Sequence, residues 1–164
     1  MLEYLKYAGI LFGLIILQLG INWLLPVTSY KITPDVTLIG IVYVSINRGK
    51  IIGSVSGFFS GLVLDLISFS FLGLSTLSKA SAGFFAGFFF RESKINKYLS
   101  TYIFVLIVLF ASLVNNFFYY VLYYQGSSLQ IIDIVLRYIL PTSIYTSFIS
   151  VIPLMFFRKR LFKR

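Results

Sequence analysis

The stretch Lys50–Arg91, KIIGSVSGFFSGLVLDLISFSFLGLSTLSKASAGFFAGFFFR, decides the fold. Two apolar runs flank a break at Phe71, Leu72 and Gly73, which reads as a hairpin of two antiparallel membrane-spanning helices. On the first run Gly53, Gly57, Gly61 and Asp65 recur every fourth residue, and on the second Ser75, Lys79, Gly83 and Gly87 do the same. That spacing puts each set on one stripe of its helix. Folding the hairpin about residue 72 sets Asp65 against Lys79, Gly61 against Gly83 and Gly57 against Gly87. The glycines are thus expected to be structural residues of a helix seam, since close backbone approach is what holds helices together in lipid. Asp65 and Lys79 are expected to form an intramembrane ion pair, because a lone charge at a bilayer centre costs about 3 kcal/mol on insertion scales. Such a pair either locks the hairpin or makes a polar centre that a partner or solute reads.

Composition agrees with a membrane chain. Of 164 residues 59% are hydrophobic and 12% charged, and the mean hydropathy of +0.93 leaves no room for a separate soluble domain. The whole of 1–164 is therefore read as a single transmembrane helical domain. Cysteine and histidine are both absent and only five carboxylates are present. Thiolate chemistry is excluded, and the commonest general base and metal ligand is missing. No phosphate loop, paired carboxylate site or serine with a base has suitable spacing. No catalytic residue, cofactor or metal site is expected, and the chain is read as no enzyme.

Outward from the hairpin, residues 7–25 form an apolar run long enough to span the roughly 30 Å hydrocarbon core. It lacks a small-residue cleavage site and is read as a retained helix. Pro26 ends it, Trp23 and Tyr30 suit an interfacial belt, and Gln18 and Asn22 put polar atoms in its second half. Thr33-Pro34-Asp35 reads as the next helix start, with Thr33 as cap and Pro34 at the first helical position. That helix ends by Ile46, so it is either a thin crossing or a re-entrant piece. Asn47-Arg48-Gly49-Lys50 is a tight polar turn. A fifth helix is expected over 98–124, with Asn115 and Asn116 towards its end and Tyr119, Tyr120, Tyr123 and Tyr124 as an aromatic belt. A sixth covers 129–157, with Asp133 and Arg137 at i,i+4 near its start, Pro141 breaking the hydrogen-bond ladder soon after and a hydroxyl face of Ser143, Ser147 and Ser150.

With six spans and both termini on one side, that side holds Lys6, Arg48, Lys50, Arg91, Lys94, Lys97 and the tail Arg158, Lys159, Arg160, Lys163 and Arg164, eleven of the 14 basic residues. The positive-inside rule makes it cytoplasmic. If the short second segment does not cross, Lys6 and Lys31 exchange sides and the ratio is unchanged, so the rule leaves five and six spans open. Six is favoured by the helix-start signal at Thr33. The net charge of +9 is expected to fix topology and touch anionic membrane lipid, not nucleic acid.

One ordered set of motifs goes further. Pro34-Asp35 opening a helix, Asn47-Arg48-Gly49-Lys50, then Gly53-x-x-x-Gly57-Phe58-x-x-Gly61-Leu62-x-x-Asp65 and Leu72-Gly73-Leu74 resemble the pattern of the MreD family of rod shape-determining membrane proteins. The resemblance implies an all-α integral membrane protein of about six transmembrane helices, likened to the substrate-binding subunits of energy-coupling-factor transporters. It further implies a non-enzymatic scaffold of the cell-shape and peptidoglycan-elongation complex in the bacterial plasma membrane. The partners it implies are MreC, the actin-like MreB, RodA and a class B penicillin-binding transpeptidase. The alternative it carries is a solute-binding membrane subunit of a vitamin-type transporter. Gln18, Asn22, Asn115, Asn116, Asp133 and Arg137 are expected, with Asp65 and Lys79, to gather as an outer polar cluster that satisfies itself between helices or lines a pocket.

Overall fold

A computed structural model describes residues 2–24, 33–68, 71–126 and 130–155, with side chains beyond 4 and apart from Trp23, Leu24 and Ser100. Tyr30, Lys31, the basic tail and the Trp23 ring, all used above, lie outside the described residues. Every regular element among those described is helical. The helices are α1 Leu2–Leu24, α2 Val36–Arg48, α3 Lys50–Ile67, α4 Leu74–Ala86, the short α5 Ile95–Ser100, α6 Ile103–Tyr123 and α7 Ile131–Met155. Helices α1, α3, α6 and α7 are long and apolar enough to cross a membrane; α2 and α4 have 13 residues each. A 3-10 turn, Gly87–Phe89, extends α4.

The short α2 is the pillar of the fold. Nine of its 13 residues, Thr37–Val42 and Val44–Ile46, are buried. A helix apolar on all faces is stable only when other helices enclose it. Leu38, Ile39, Val42 and Ile46 pack with Ala82 and Ala86 of α4 and with Phe104, Ile107, Val108 and Ala111 of α6. Ile41 and Val44 meet Leu11 of α1. The cap differs from the expected one: Asp35, not Thr33, is the N-cap, its Oδ1 accepting from the Leu38 N–H at 2.9 Å. An aspartate three residues before that N–H reaches it, whereas Thr33 lies too far upstream. Pro34 accordingly precedes the cap. At 1.5 Å per residue α2 is about 20 Å long, and its start lies beside Gln18, well before α1 ends. The N-terminus of α2 therefore sits inside the helix bundle and not at its rim.

At its other end α2 turns sharply into α3 through Gly49, whose φ of 85° and ψ of −179° fall in a region reserved for glycine. Gly49 N–H donates to Ser45 O at 2.9 Å, so the reversal loses no backbone bond.

The seam between α3 and α4 is the glycine stripe, in a different register from the expected one. A Cβ on Gly57 would lie 2.2 Å from the Lys79 carbonyl oxygen, one on Gly83 2.2 Å from the Gly53 carbonyl oxygen, and one on Gly61 2.5 Å from the Ser75 carbonyl oxygen. Gly87 packs on the backbone of Lys50. Gly57 thus faces Lys79 and not Gly87, a slide of eight residues, or roughly 12 Å along the axis. The cause is Asp65. Its carboxylate accepts from the N–H groups of Gly73, Ser75 and Thr76 at 3.0, 3.0 and 3.1 Å and from the Thr76 hydroxyl at 2.9 Å. These are the orphan donors of the α4 N-terminus, which favours an anion. To bring them to Asp65 the chain must double back beside α3, with Gly73 left-handed at φ 101°. The expected Asp65–Lys79 ion pair is accordingly not formed: Asp65 caps a helix, and Lys79 pairs with Asp35.

The last two expected helices are each interrupted. The run expected over 98–124 is cut by an extended residue, Thr101, between α5 and α6. In α7 the residues Val135–Ile139 form a π-helical turn directly before Pro141. Leu140 N–H reaches Val135 O, one residue further back than in an α-helix. That wider turn absorbs the proline ring, so the helix runs on to Met155 through the break in its hydrogen-bond ladder.

Candidate functional site

The start of α2 is built from five helices. From α1, the Gln18 Oε1 accepts from the Val36 N–H at 2.7 Å while its Nε2 donates to Pro34 O at 3.0 Å and to Asn22 Oδ1 at 2.9 Å. From α7, the Thr146 hydroxyl accepts from the Asp35 N–H at 3.1 Å. From α4, the Lys79 ammonium pairs with Asp35 Oδ2. Asp35 is thus held by its own helix, by α4 and by α7. An ion pair this deep contributes little net stability while intact, but either partner alone would be an uncompensated buried charge.

From α6 come Asn115 and Asn116, both 4% exposed. Asn116 Nδ2 donates to Ser143 Oγ of α7 at 2.9 Å and to Ser112 Oγ at 3.3 Å, and Asn115 Nδ2 donates to Asn116 Oδ1 at 3.3 Å. Asn115 Oδ1 has no hydrogen-bond partner among the described residues. Leaving a buried acceptor unmet costs about 1–3 kcal/mol.

These groups line a cavity of about 720 Å³. Its polar part includes Gln18, Asn22, Asp35, Lys79, Asn115 and Asn116; most of its aromatic wall comes from Tyr119, Tyr120, Tyr123 and Tyr124 of α6 and Tyr138 of α7. Tyr119 stacks on Tyr123 with centroids 6.1 Å apart, Tyr120 on Tyr124 at 6.4 Å, and Tyr138 closes on both Tyr120 and Tyr124.

Four of the six expected outer polar residues, Gln18, Asn22, Asn115 and Asn116, therefore meet at one site, together with Lys79. Asp133 and Arg137 do not join them. They pair with each other at 3.4 Å, and their side chains are 40% and 56% exposed. One turn of α7 points them away from Tyr138, which does face the cavity. Asp65 is also elsewhere, at the α4 cap. Of the hydroxyl face of α7 only Ser143 reaches another helix among the described bonds; Ser147 and Ser150 donate to carbonyls of their own helix. The tyrosines expected as an interfacial belt line the cavity. Their spacing held the clue: Asn116, Tyr119, Tyr120, Tyr123 and Tyr124 recur at i, i+3, i+4, i+7 and i+8, one face of one helix.

The arrangement can hold an uncharged polar group, since Asp35 and Lys79 cancel. Acid–base chemistry has no histidine or cysteine to draw on, and no group of three potential metal ligands occurs among the described residues.

A family model described as rod shape-determining protein MreD matches residues 5–164. The chain belongs to the MreD family. The match takes in the hairpin, the α2 pillar and both long helices that follow, so the family pattern extends well beyond the motifs quoted from Pro34 to Leu74. Membership carries a role in rod-shape determination and a place in the membrane, which the four long apolar helices suit. Comparison with curated proteins and with solved structures gives no match, so the expected likeness to energy-coupling-factor substrate-binding subunits finds no support.

Proposed function

We propose that this MreD-family chain is a non-enzymatic scaffold in the plasma membrane that holds wall-elongation proteins together and so regulates cell shape. The observation that carries the reading is the family match over residues 5–164. The lack of histidine and cysteine supports it, because the chain has little with which to do chemistry of its own. MreC, MreB, RodA and a class B penicillin-binding transpeptidase are the partners that the family resemblance suggests.

Six crossings with both termini in the cytoplasm fit the packing at one end of the bundle. Arg48 lies over the Tyr7 ring at 5.4 Å and Lys50 over the Phe88 ring at 4.6 Å, so the start of α1, the α2–α3 turn and the end of α4 share one basic end. On this reading that end is cytoplasmic by the positive-inside rule, and the cavity lies in the outer half.

Affinity purification of the tagged chain from gently solubilised membranes of a rod-shaped host tests the scaffold. An MreC-like protein is expected to be recovered in near-equal amount, and to remain when the Asp133–Arg137 pair is replaced by Asn and Gln if that exposed pair is only a local i,i+4 contact. Recovery of the chain without any elongation protein, under conditions that keep the chain folded, contradicts the scaffold.

A further inference from the structure

The cavity at the head of α2 has more hydrogen-bonding capacity than the helix cap uses. Asn115, 4% exposed and part of its lining, leaves Oδ1 without a donor among the described residues. Lys79, 5% exposed, has three N–H donors, and its one hydrogen-bond acceptor among the described residues is Asp35. An unmet acceptor and spare donors therefore belong to two residues that line the same space, while the Asp35 carboxylate already balances the Lys79 charge. Further along the same face of α6, with Tyr138 of α7 beside it, the wall is tyrosine. The stacked pair Tyr119 and Tyr123, at an interplanar angle of 7°, presents flat ring faces and hydroxyls, an amphipathic surface for a ligand that is itself flat on one side and polar at its edge.

These features select the occupant. An anion or a cation gains no unbalanced partner at an ion pair that is already neutral. A hydrocarbon chain leaves both Asn115 and Lys79 unmet. A group that donates and accepts at once, carries no charge and has an apolar face satisfies all three conditions, and a polyhydroxylated ring is such a group. The volume of about 720 Å³ holds one or two such rings and lies within the usual range of small-molecule pockets.

We propose that this cavity is a binding site for an uncharged, hydroxyl-rich ligand of sugar size, either free or carried as the head group of a membrane glycolipid, with Asn115 accepting from it and Lys79 donating to it. The site stands apart from the scaffold reading, and binding is measured without reference to cell shape or partners.

The protein, extracted in a zwitterionic detergent without a sugar head group, is reconstituted into phosphatidylcholine nanodiscs containing a graded fraction of monoglucosyl diacylglycerol. Maltose added to sugar-free discs is the second arm, and phosphatidylglycerol discs are the charged control. Thermal unfolding and native mass spectrometry are the readouts. The expected result is a concentration-dependent rise in Tm with glucolipid or maltose that Asn115→Leu weakens, and with phosphatidylglycerol only the rise that the basic face gives, which Asn115→Leu leaves unchanged. A rise with both arms assigns the free sugar, and a rise with glucolipid alone assigns the lipid-borne head group. Asn115→Leu removes the unmet acceptor, so it should fold at least as well without ligand and bind at least tenfold more weakly. Tyr123→Ala, at the half-exposed rim, should weaken binding severalfold and serves where Asn115→Leu does not fold. No sugar-dependent rise in either arm, a phosphatidylglycerol rise that Asn115→Leu abolishes, or undiminished sugar binding by a folded variant overturns the proposal.

Discussion

Gly57→Leu abolishes accumulation of the folded protein in the membrane. The Cβ that any substitution adds at Gly57 falls 2.2 Å from the Lys79 carbonyl oxygen and 2.6 Å from its carbonyl carbon. Both are backbone atoms of a buried helix, so no side-chain rotation relieves the clash, and α4 must move. Overpacking of this kind costs about 3 kcal/mol, roughly a hundredfold in the folded fraction. Because lipid supplies no hydrophobic force to press the helices back together, the separated seam is not restored elsewhere. Gly57→Ala is expected to show a large part of the effect and Gly83→Leu an equal one, since its Cβ meets the Gly53 carbonyl at 2.2 Å. Two controls share the chemistry without the contact. Gly13→Ala on α1 has nothing within 4 Å of its new Cβ, and Val63→Leu lies off the stripe. The level of a fluorescent C-terminal fusion retained after detergent extraction, with its Tm, reads all five. Equal loss at Gly57 and Gly13 would contradict the seam.

Asp35→Asn and Lys79→Met each destabilise the protein by about 3–5 kcal/mol, because each leaves the other charge buried and unpaired. Lys79 is 5% exposed and reaches no other carboxylate among the described ion pairs. The double variant should recover most of that loss: Asp35→Asn keeps a side-chain oxygen for the Leu38 N–H cap, and Lys79→Met fills the space of the lysine stem. Coupling between the two positions in a double-mutant cycle is the measurement. Asp65→Asn combined with Lys79→Met should instead be additive, since Asp65 acts on the α4 N-terminus and not on Lys79. Strong coupling of Asp65 with Lys79, and none of Asp35 with Lys79, would restore the register about residue 72 and remove the one described here.

These two experiments bear on what could be read from the residues alone. Periodicity identified the right stripe, because Gly53, Gly57, Gly61, Gly83 and Gly87 each face a helix seam whatever the slide. It could not set the slide. Helical period repeats every turn, so registers one or two turns apart satisfy the same stripe, and the choice falls to the loop. A symmetric reversal about residue 72 is the simplest loop that the sequence suggests, whereas the four donors that Asp65 gathers draw the start of α4 back beside α3. The partner of Lys79 is hidden in the sequence for the same reason: Asp35 is 44 residues away, and only the burial of the α2 start inside the bundle brings it near.

The polar cluster was legible where one helix face carried it and illegible where two faces competed. Gln18, Asn115 and Asn116 are buried on otherwise apolar helices, where few positions could satisfy them except against other polar groups, and the exposed Asn22 bonds to Gln18. Asp133 and Arg137 satisfy each other within one turn of α7 and so need no neighbour helix. The tyrosines of α6 looked like a belt because tyrosine suits an interface. Their facing positions and the stacks at 6.1 and 6.4 Å assign them to the cavity wall.

The shape-determining role is tested most directly by replacing the MreD-family gene of a rod-shaped host with a repressible copy encoding this chain and measuring cell width and length by microscopy as it is withdrawn. The account predicts that cells widen and become round as the chain is depleted, and that the unaltered chain, but not Gly57→Leu, restores rods when expression resumes. Cells that remain rods at constant width after the chain is gone would contradict it.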